Sequence, residues 1–137
     1  MGVDIDNRDS SSISTDYIKD CPYCGTFLIR KEDDVKHYCP NNENCTPQIK
    51  AKFEHFISRK ALDIDGLGGE TIELLINNSL IHKLSDLYIL KNEDLYPLKK
   101  DGRKWADNII SGINTSKSIS YERVLFGLGI RLSLIHI

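Results

Sequence analysis

Four thiols fall within 25 residues, as Cys21-x2-Cys24, fourteen intervening residues, and then Cys39-x5-Cys45. Zinc takes four soft donors in a tetrahedron at about 2.3 Å, and a Cys-x2-Cys turn delivers two thiolates to one point. The intervening stretch is long enough for a hairpin that returns the second pair to the first. Gly25 after Cys24 and Pro40 after Cys39 suit tight turns that aim amide N–H groups at the sulfurs. Nothing suggests export, which disfavours disulfides. A redox Cys-x2-Cys of the thioredoxin kind needs a βαβ setting that the pattern lacks. The expected ligands are Cys21, Cys24, Cys39 and Cys45, with His37 a lesser alternative to one of them. Four protein thiolates leave no position for catalytic water, so the expected zinc is structural.

A second chemistry is carried by glycines. Leu62-Asp-Ile-Asp-Gly66-Leu67-Gly68-Gly69 lies between two helical patterns. Glycine–apolar–glycine there makes a sharp hairpin, with Leu67 tucked between the helices and Gly68 expected to use backbone angles costly to other residues. The helix that follows points unpaired N–H groups outward, a ready phosphate site. Such a helix-hairpin-helix grips the DNA backbone and carries no base information. The grammar recurs: Gly102 with Lys100, Arg103 and Lys104 opens a longer helix, and Gly127-Leu-Gly129-Ile-Arg131 begins a third unit. Gly68 to Gly102 is 34 residues and Gly102 to Gly129 is 27, an unequal spacing that stacked helical hairpins tolerate. The candidate DNA-binding residues are Gly66, Gly68, Gly69, Lys100, Gly102, Arg103, Lys104, Gly127, Gly129 and Arg131. The second unit departs from the pattern, with Lys100-Asp101-Gly102 where two glycines would be ideal.

Lys99-Lys-Asp-Gly102 also matches Lys-x-Asp-Gly, whose lysine takes AMP in nucleotidyltransferases. That chemistry needs a nucleotide pocket on a substantial sheet, whereas this tetrapeptide falls in a turn of a helical repeat. No catalytic residue is assigned.

The elements that position these residues follow from periodicity. Residues 1–19, with the polar run Ser10–Thr15, read as a poorly ordered lead or linker. Thr26–Arg30 and Val35–Tyr38 suit two strands around the turn Lys31–Asp34. Thr46 is the expected N-cap of a helix with Pro47 in its first turn and Ile49, Phe53, Phe56 and Ile57 on one face. Further helices are expected after Gly69 (Ile72, Leu75 and Ile76 inward), over Asn92–Leu95 (Asn92 as cap and Pro97 ending it), over Arg103–Thr115 (Trp105, Ile109, Ile110 and Ile113 inward) and over Ser120–Phe126. The fold class is therefore a small zinc-stapled β-hairpin module followed by an all-α helix-hairpin-helix domain. The staple is needed because so short a module buries too little core to hold itself.

In 137 residues there is room for one ordinary domain or two small ones. The net charge of −2 does not advertise a nucleic-acid binder, but it is unevenly spread. Residues 1–34 carry eight acids and four bases (−4), leaving 12 acids and 14 bases (+2) for the rest. Those bases bunch at Lys50, Lys52, Arg59 and Lys60 and again at Lys99, Lys100, Arg103 and Lys104, and local bases hold phosphates whatever the total. No apolar run approaches the ~20 residues of a membrane span, and the first residues lack the pattern of a signal peptide. A cytoplasmic location is expected.

The cysteine spacing, together with Pro47-Gln-Ile-Lys50, Glu54-His-Phe-Ile-Ser-Arg-Lys60, Ala61-Leu-Asp-Ile-Asp-Gly-Leu-Gly68 and Arg123-Val-Leu-Phe-Gly-Leu-Gly-Ile-Arg131, resembles bacterial NAD+-dependent DNA ligase. The resemblance runs from Cys21 to Arg131 and implies the zinc finger and first helix-hairpin-helix repeats of that enzyme. It implies a parent that seals nicks in duplex DNA, in replication and repair, through a lysine–AMP intermediate made from NAD+. NAD+ and Mg2+ belong to that parent, and only zinc to this stretch. Implied partners are duplex or nicked DNA, held by its phosphates, and the parent's adenylation and oligonucleotide-binding domains. The expected divisions are a lead over 1–19, a four-cysteine finger over 20–46, a helix-hairpin-helix domain over 47–131 and a non-native tail over 132–137. Two other readings compete: a stand-alone helix-hairpin-helix repair adaptor, and a protein-interaction module whose zinc merely fixes geometry.

Overall fold

The structure, a computed structural model, describes residues 6–7, 9–100 and 102–130. Its contacts divide the chain into two compact units, parted between Asn41 and Asn42.

The first unit is built on a short hairpin. Strands β1 (Ile29–Arg30) and β2 (His37–Tyr38) pair antiparallel, with Ile29 opposite Tyr38 and Arg30 opposite His37. A single bridge between Asp20 and Phe27 extends the pairing towards the cysteines. Only the ends of the two expected strands thus enter a ladder. Two strands whose side chains are exposed except for the half-buried His37 have almost no face to bury, and such a hairpin is marginal alone. The expected turn closes it: Asp34 N–H donates to Lys31 O at 3.1 Å, and Arg30 Nε donates to Asp34 O at 2.6 Å. The Asp34 carboxylate accepts from the Tyr38 hydroxyl and from Lys36 N–H, which hold it below the usual carboxylate range. Residues 9–19 contain no helix or strand, and Tyr17 stacks on His37 with ring centroids 4.8 Å apart.

The second unit is helical. It comprises α1 (Thr46–Ile57), α2 (Gly69–Asn77), a 3-10 helix over Leu84–Tyr88, α3 (Asn92–Leu95), a 3-10 turn over Tyr96–Leu98, α4 (Gly102–Ser116) and α5 (Tyr121–Gly127). Each expected helix is present within a residue or two of its expected ends. The caps differ. Cys45, not Thr46, is the N-cap of α1, and its carbonyl accepts from Gln48 and Ile49 N–H at 2.9 and 3.0 Å. Thr46 and Pro47 occupy the first turn, where proline's missing donor costs nothing. Lys91 likewise takes the N-cap expected at Asn92, because Asp94 reaches back to accept its N–H at 3.1 Å. Pro97 does not end the short helix but continues it as the 3-10 turn.

The apolar positions converge as their spacing requires. Ile49, Phe53, Phe56 and Ile57 of α1 meet Ile72 and Leu75 of α2, Ala106, Ile109 and Ile113 of α4, and Leu67 from the first hairpin. Trp105 and Ile110, expected inside α4, are half-buried at its flank, and Ala106 takes the interior position instead. The 3-10 helix over Leu84–Tyr88 was not expected; it inserts Leu87, which is fully buried. Among the described residues no helix is long and apolar enough to cross a membrane.

Candidate metal centre and nucleic-acid interface

The sulfurs of Cys21, Cys24, Cys39 and Cys45 all lie within 4.8 Å of one another, and none forms a disulfide. A tetrahedron with Zn–S of about 2.3 Å requires sulfurs roughly 3.8 Å apart, so the cluster fits zinc with little rearrangement. Local backbone explains how it forms. Gly25 sits at φ +66°, its N–H donates to Cys21 O at 2.8 Å, and Cys21 N–H donates to Thr26 O at 2.8 Å, which folds Cys21 and Cys24 into one knuckle. Cys45 is placed as the residue from which α1 starts, and it is 2 % exposed. Cys24 and Cys39 Sγ are 3.4 Å apart, and Cys24 is hydrogen-bonded to Thr26 Oγ1 at 3.2 Å. The Thr26 hydroxyl, and then its backbone N–H, draw the Cys24 thiol down to about 6. Desolvation chiefly pushes Cys39 up to about 12. A cation among them would favour the thiolate at all four positions. His37 is not in the cluster; its ring stacks against Tyr17.

In the first hairpin the glycines have separate tasks. Gly66, not Gly68, takes the left-handed conformation, at φ +83°. Gly68 is the extended N-cap of α2 (φ −115°, ψ 174°), and a Cβ added there meets nothing within 4 Å. The expectation that Gly68 relieves backbone strain is therefore corrected: two glycines are available, and the turn needs the left-handed one first. A Cβ on Gly69 would land on the Glu54 carboxylate, so α2 starts from a residue without a side chain, beside Glu54 and with Glu70 in its first turn. Lys50 binds Glu73 at 2.5 Å, and Lys52 Nζ donates to Asn42 O at 2.8 Å, so this first group of bases is partly engaged within the protein.

At the second hairpin, Lys99, Lys100, Arg103 and Lys104 line one cavity with Tyr96 and Gly102, and among the described residues no acid lines it. Lys99 Nζ stands 4.8 Å from the centre of the Trp105 ring, and the Arg103 guanidinium 5.9 Å from that of Tyr96. These aromatic faces hold two cations at the start of α4, where the positive helix end adds to them. None of the four bases makes an ion pair with a described residue. Gly102 is buried, and a Cβ there would press on Tyr96 O at 3.2 Å. This setting also bears on the Lys-x-Asp-Gly tetrapeptide: Lys99 rests on a tryptophan beside a helix start, with no sheet among the described residues except the two-stranded hairpin. Incubation of the chain with NAD+ should leave its intact mass unchanged, and an AMP adduct abolished by Lys99→Ala would reverse that assignment.

The third unit is described only in its first half. Gly127 ends α5 in close packing: a Cβ there would meet Leu62 Cδ1 at 2.9 Å and Phe56 Cδ2 at 3.2 Å. Gly129, at φ +75°, terminates the helix, with its N–H donating to Phe126 O at 2.9 Å and Ile130 N–H to Leu125 O at 3.1 Å. Arg131 and the 132–137 tail lie outside the described residues. Packing glycines Gly112 and Gly127 were not recognised as such from sequence, although a glycine inside a helical pattern costs ~1 kcal/mol and so signals a close contact.

Fold and cysteine site together define a four-cysteine finger with a helical hairpin domain. Residues 20–46 match the family model of the NAD-dependent DNA ligase C4 zinc finger domain. The chain is 52% identical over 131 residues to a DNA ligase of Christiangramia forsetii and 50% identical over 131 residues to one of Flavobacterium psychrophilum. It is 51% identical over 130 residues to a DNA ligase of Bacteroides fragilis. These alignments cover 95–96% of this chain and 20% of each relative, so the chain spans about a fifth of their length. The chain thus matches one stretch of bacterial DNA ligases, and within it the C4 zinc finger of the NAD-dependent ones.

Proposed function

We propose that this stretch is the DNA-holding, non-catalytic part of an NAD+-dependent DNA ligase, stapled by one zinc on Cys21, Cys24, Cys39 and Cys45. It grips the duplex backbone without regard to sequence while the rest of the enzyme, with NAD+ and Mg2+, seals nicks in replication and repair in the cytoplasm. The observation that carries the reading is the basic cavity at the start of α4, lined by Lys99, Lys100, Arg103 and Lys104. Lysine and arginine at a helix start suit phosphate oxygens, which fix register and carry no base identity. The bare start of α2 after Gly66, Gly68 and Gly69 supplies a second grip, and Gly129 and Arg131 lead towards a third. Gly127 and Gly102 serve by letting the chain pack closely where those grips begin.

The test is a titration of labelled nicked duplexes of unrelated sequence at several salt concentrations. If about three to five phosphates are neutralised, the log–log salt slope is roughly −3 to −5, from ~0.9 per phosphate. Salt-insensitive binding, or strong preference for one sequence, would contradict phosphate gripping and favour the protein-interaction module or the stand-alone adaptor instead.

A further inference from the structure

We propose that Gly112, in the middle of α4, is a positioning residue for the first hairpin, so that the helix opening the second grip also sets the geometry of the first. This rests on the phosphate-gripping reading above. The loop over residues 64–66 lies directly against one face of α4. A Cβ built on Gly112 would stand 2.5 Å from Asp65 O and 3.3 Å from both Asp65 N and Ile64 Cγ2. The first of these is a backbone atom, so a side chain at 112 cannot be accommodated by a rotamer change; the loop itself has to move. One turn earlier on the same face, the Cβ position of Gly66 is 3.5 Å from Ile109 Cγ1 and 3.6 Å from Ile109 N. Residues 108, 109 and 112 are spaced three and four apart, which puts them on a single stripe of the helix. The loop is thus seated on α4 at two successive points, the bare backbone at 112 and the side chain and backbone at 109.

The consequence falls on the residues that follow. Gly66 holds φ +83°, and two residues later Gly68 caps α2, its carbonyl accepting from Ile72 N–H at 2.9 Å. Displacing Asp65 therefore rotates the point from which α2's first-turn N–H groups are aimed. Of the bases lining the cavity at the opposite grip, Arg103 and Lys104 stand two to three turns earlier on α4 and Lys100 precedes the helix, and no residue of the 64–66 loop lines that cavity. A glycine inside a helix is less favourable than alanine, so its placement opposite a backbone carbonyl has a reason in packing, and the loop it packs is the one with the phosphate geometry.

The experiment uses Gly112→Ala in the full chain, with zinc content and far-UV dichroism as controls. Amide resonances of residues 64–71 should shift strongly, and those of 102–106 much less. The magnitude of the salt slope on nicked duplex should fall by about one to two, the share of one hairpin at ~0.9 per phosphate. Unchanged amides at 64–71 in a folded variant overturn the proposal, whether or not the wild-type chain binds DNA. Failure of the wild type to bind at all would instead remove the phosphate reading, leaving the amide shifts to decide the positioning role. If Gly112→Ala does not fold, Gly66→Ala probes the same seat from the loop side. Its methyl meets only ordinary contacts at Ile109 but is strained at φ +83°, so the same resonances should move and the slope should drop. A wild-type slope and wild-type amide positions in that variant also overturn the proposal.

Discussion

Cys45→Ser should abolish stoichiometric zinc and unfold the finger while leaving most helical signal in place. The substitution separates the metal from the helix cap. Cys45 begins α1 through its backbone carbonyl and makes no side-chain cap hydrogen bond, whereas serine is among the preferred N-cap residues. The start of α1 is therefore no worse off with serine, and any loss of order reports the missing thiolate. That loss is large. Structural zinc in small fingers contributes apparent binding free energies of about 10–16 kcal/mol near pH 7. The alternative source of order is small, because β1 and β2 pair two residues each with side chains largely in solvent. Elemental analysis of protein purified without added metal should give one zinc per wild-type chain and much less for the variant. Chelation, or acidification that protonates the thiolates, should reproduce the variant's spectrum in the wild type. Retention of wild-type order in the finger after complete metal removal would show that the hairpin holds itself, and would sink the staple argument.

How far the molecule was legible in its sequence depended on how local the physics was. The four thiols were legible because ligand chemistry restricts residue type and spacing together, and the sulfurs gather as that spacing requires. The long helices were legible from apolar period: Ile49, Phe53, Phe56 and Ile57 all face the core. What escaped was short or two-sided. Leu84–Tyr88 spans five residues, too few for a period to show, and its signal is only Asp86 accepting from His82 and Lys83 N–H at 2.8 Å each. Between Gly66 and Gly68, composition could not say which takes the left-handed angle, since that depends on how the loop before α2 seats against α4. Gly112 and Gly127 are determined by neighbours distant in sequence, Asp65 in one case and Phe56, Ala61 and Leu62 in the other. The two groups of bases looked alike in sequence; the structure distinguishes them, because Lys50 and Lys52 are engaged internally while the group at the start of α4 lines its own cavity.

That distinction sets the largest expected effect on binding. The double substitution Lys100→Glu with Arg103→Glu should weaken duplex affinity by roughly a hundredfold or more near 0.1 M salt. Each lost phosphate contact removes ~0.9 from the slope, and about tenfold in affinity at that concentration. Reversal adds repulsion to the loss, though solvent screens it beyond a Debye length of about 10 Å. The fold should survive, since both side chains are exposed and neither reaches the core. By contrast, Lys50→Ala with Lys52→Ala removes the same number of cations and should change affinity much less. One of those lysines neutralises Glu73, and the other is tied to the Asn42 carbonyl. Parallel titrations of both double variants on one nicked duplex at four or five salt concentrations make the comparison independent of absolute affinity. Losses merely in proportion to the charge changes, −4 for the reversals and −2 for the alanines, would mean that net charge alone governs binding and that the start of α4 is no preferred grip. A loss confined to Lys100 and Arg103, with a slope shallower by about two, is the outcome that the cavity's chemistry requires.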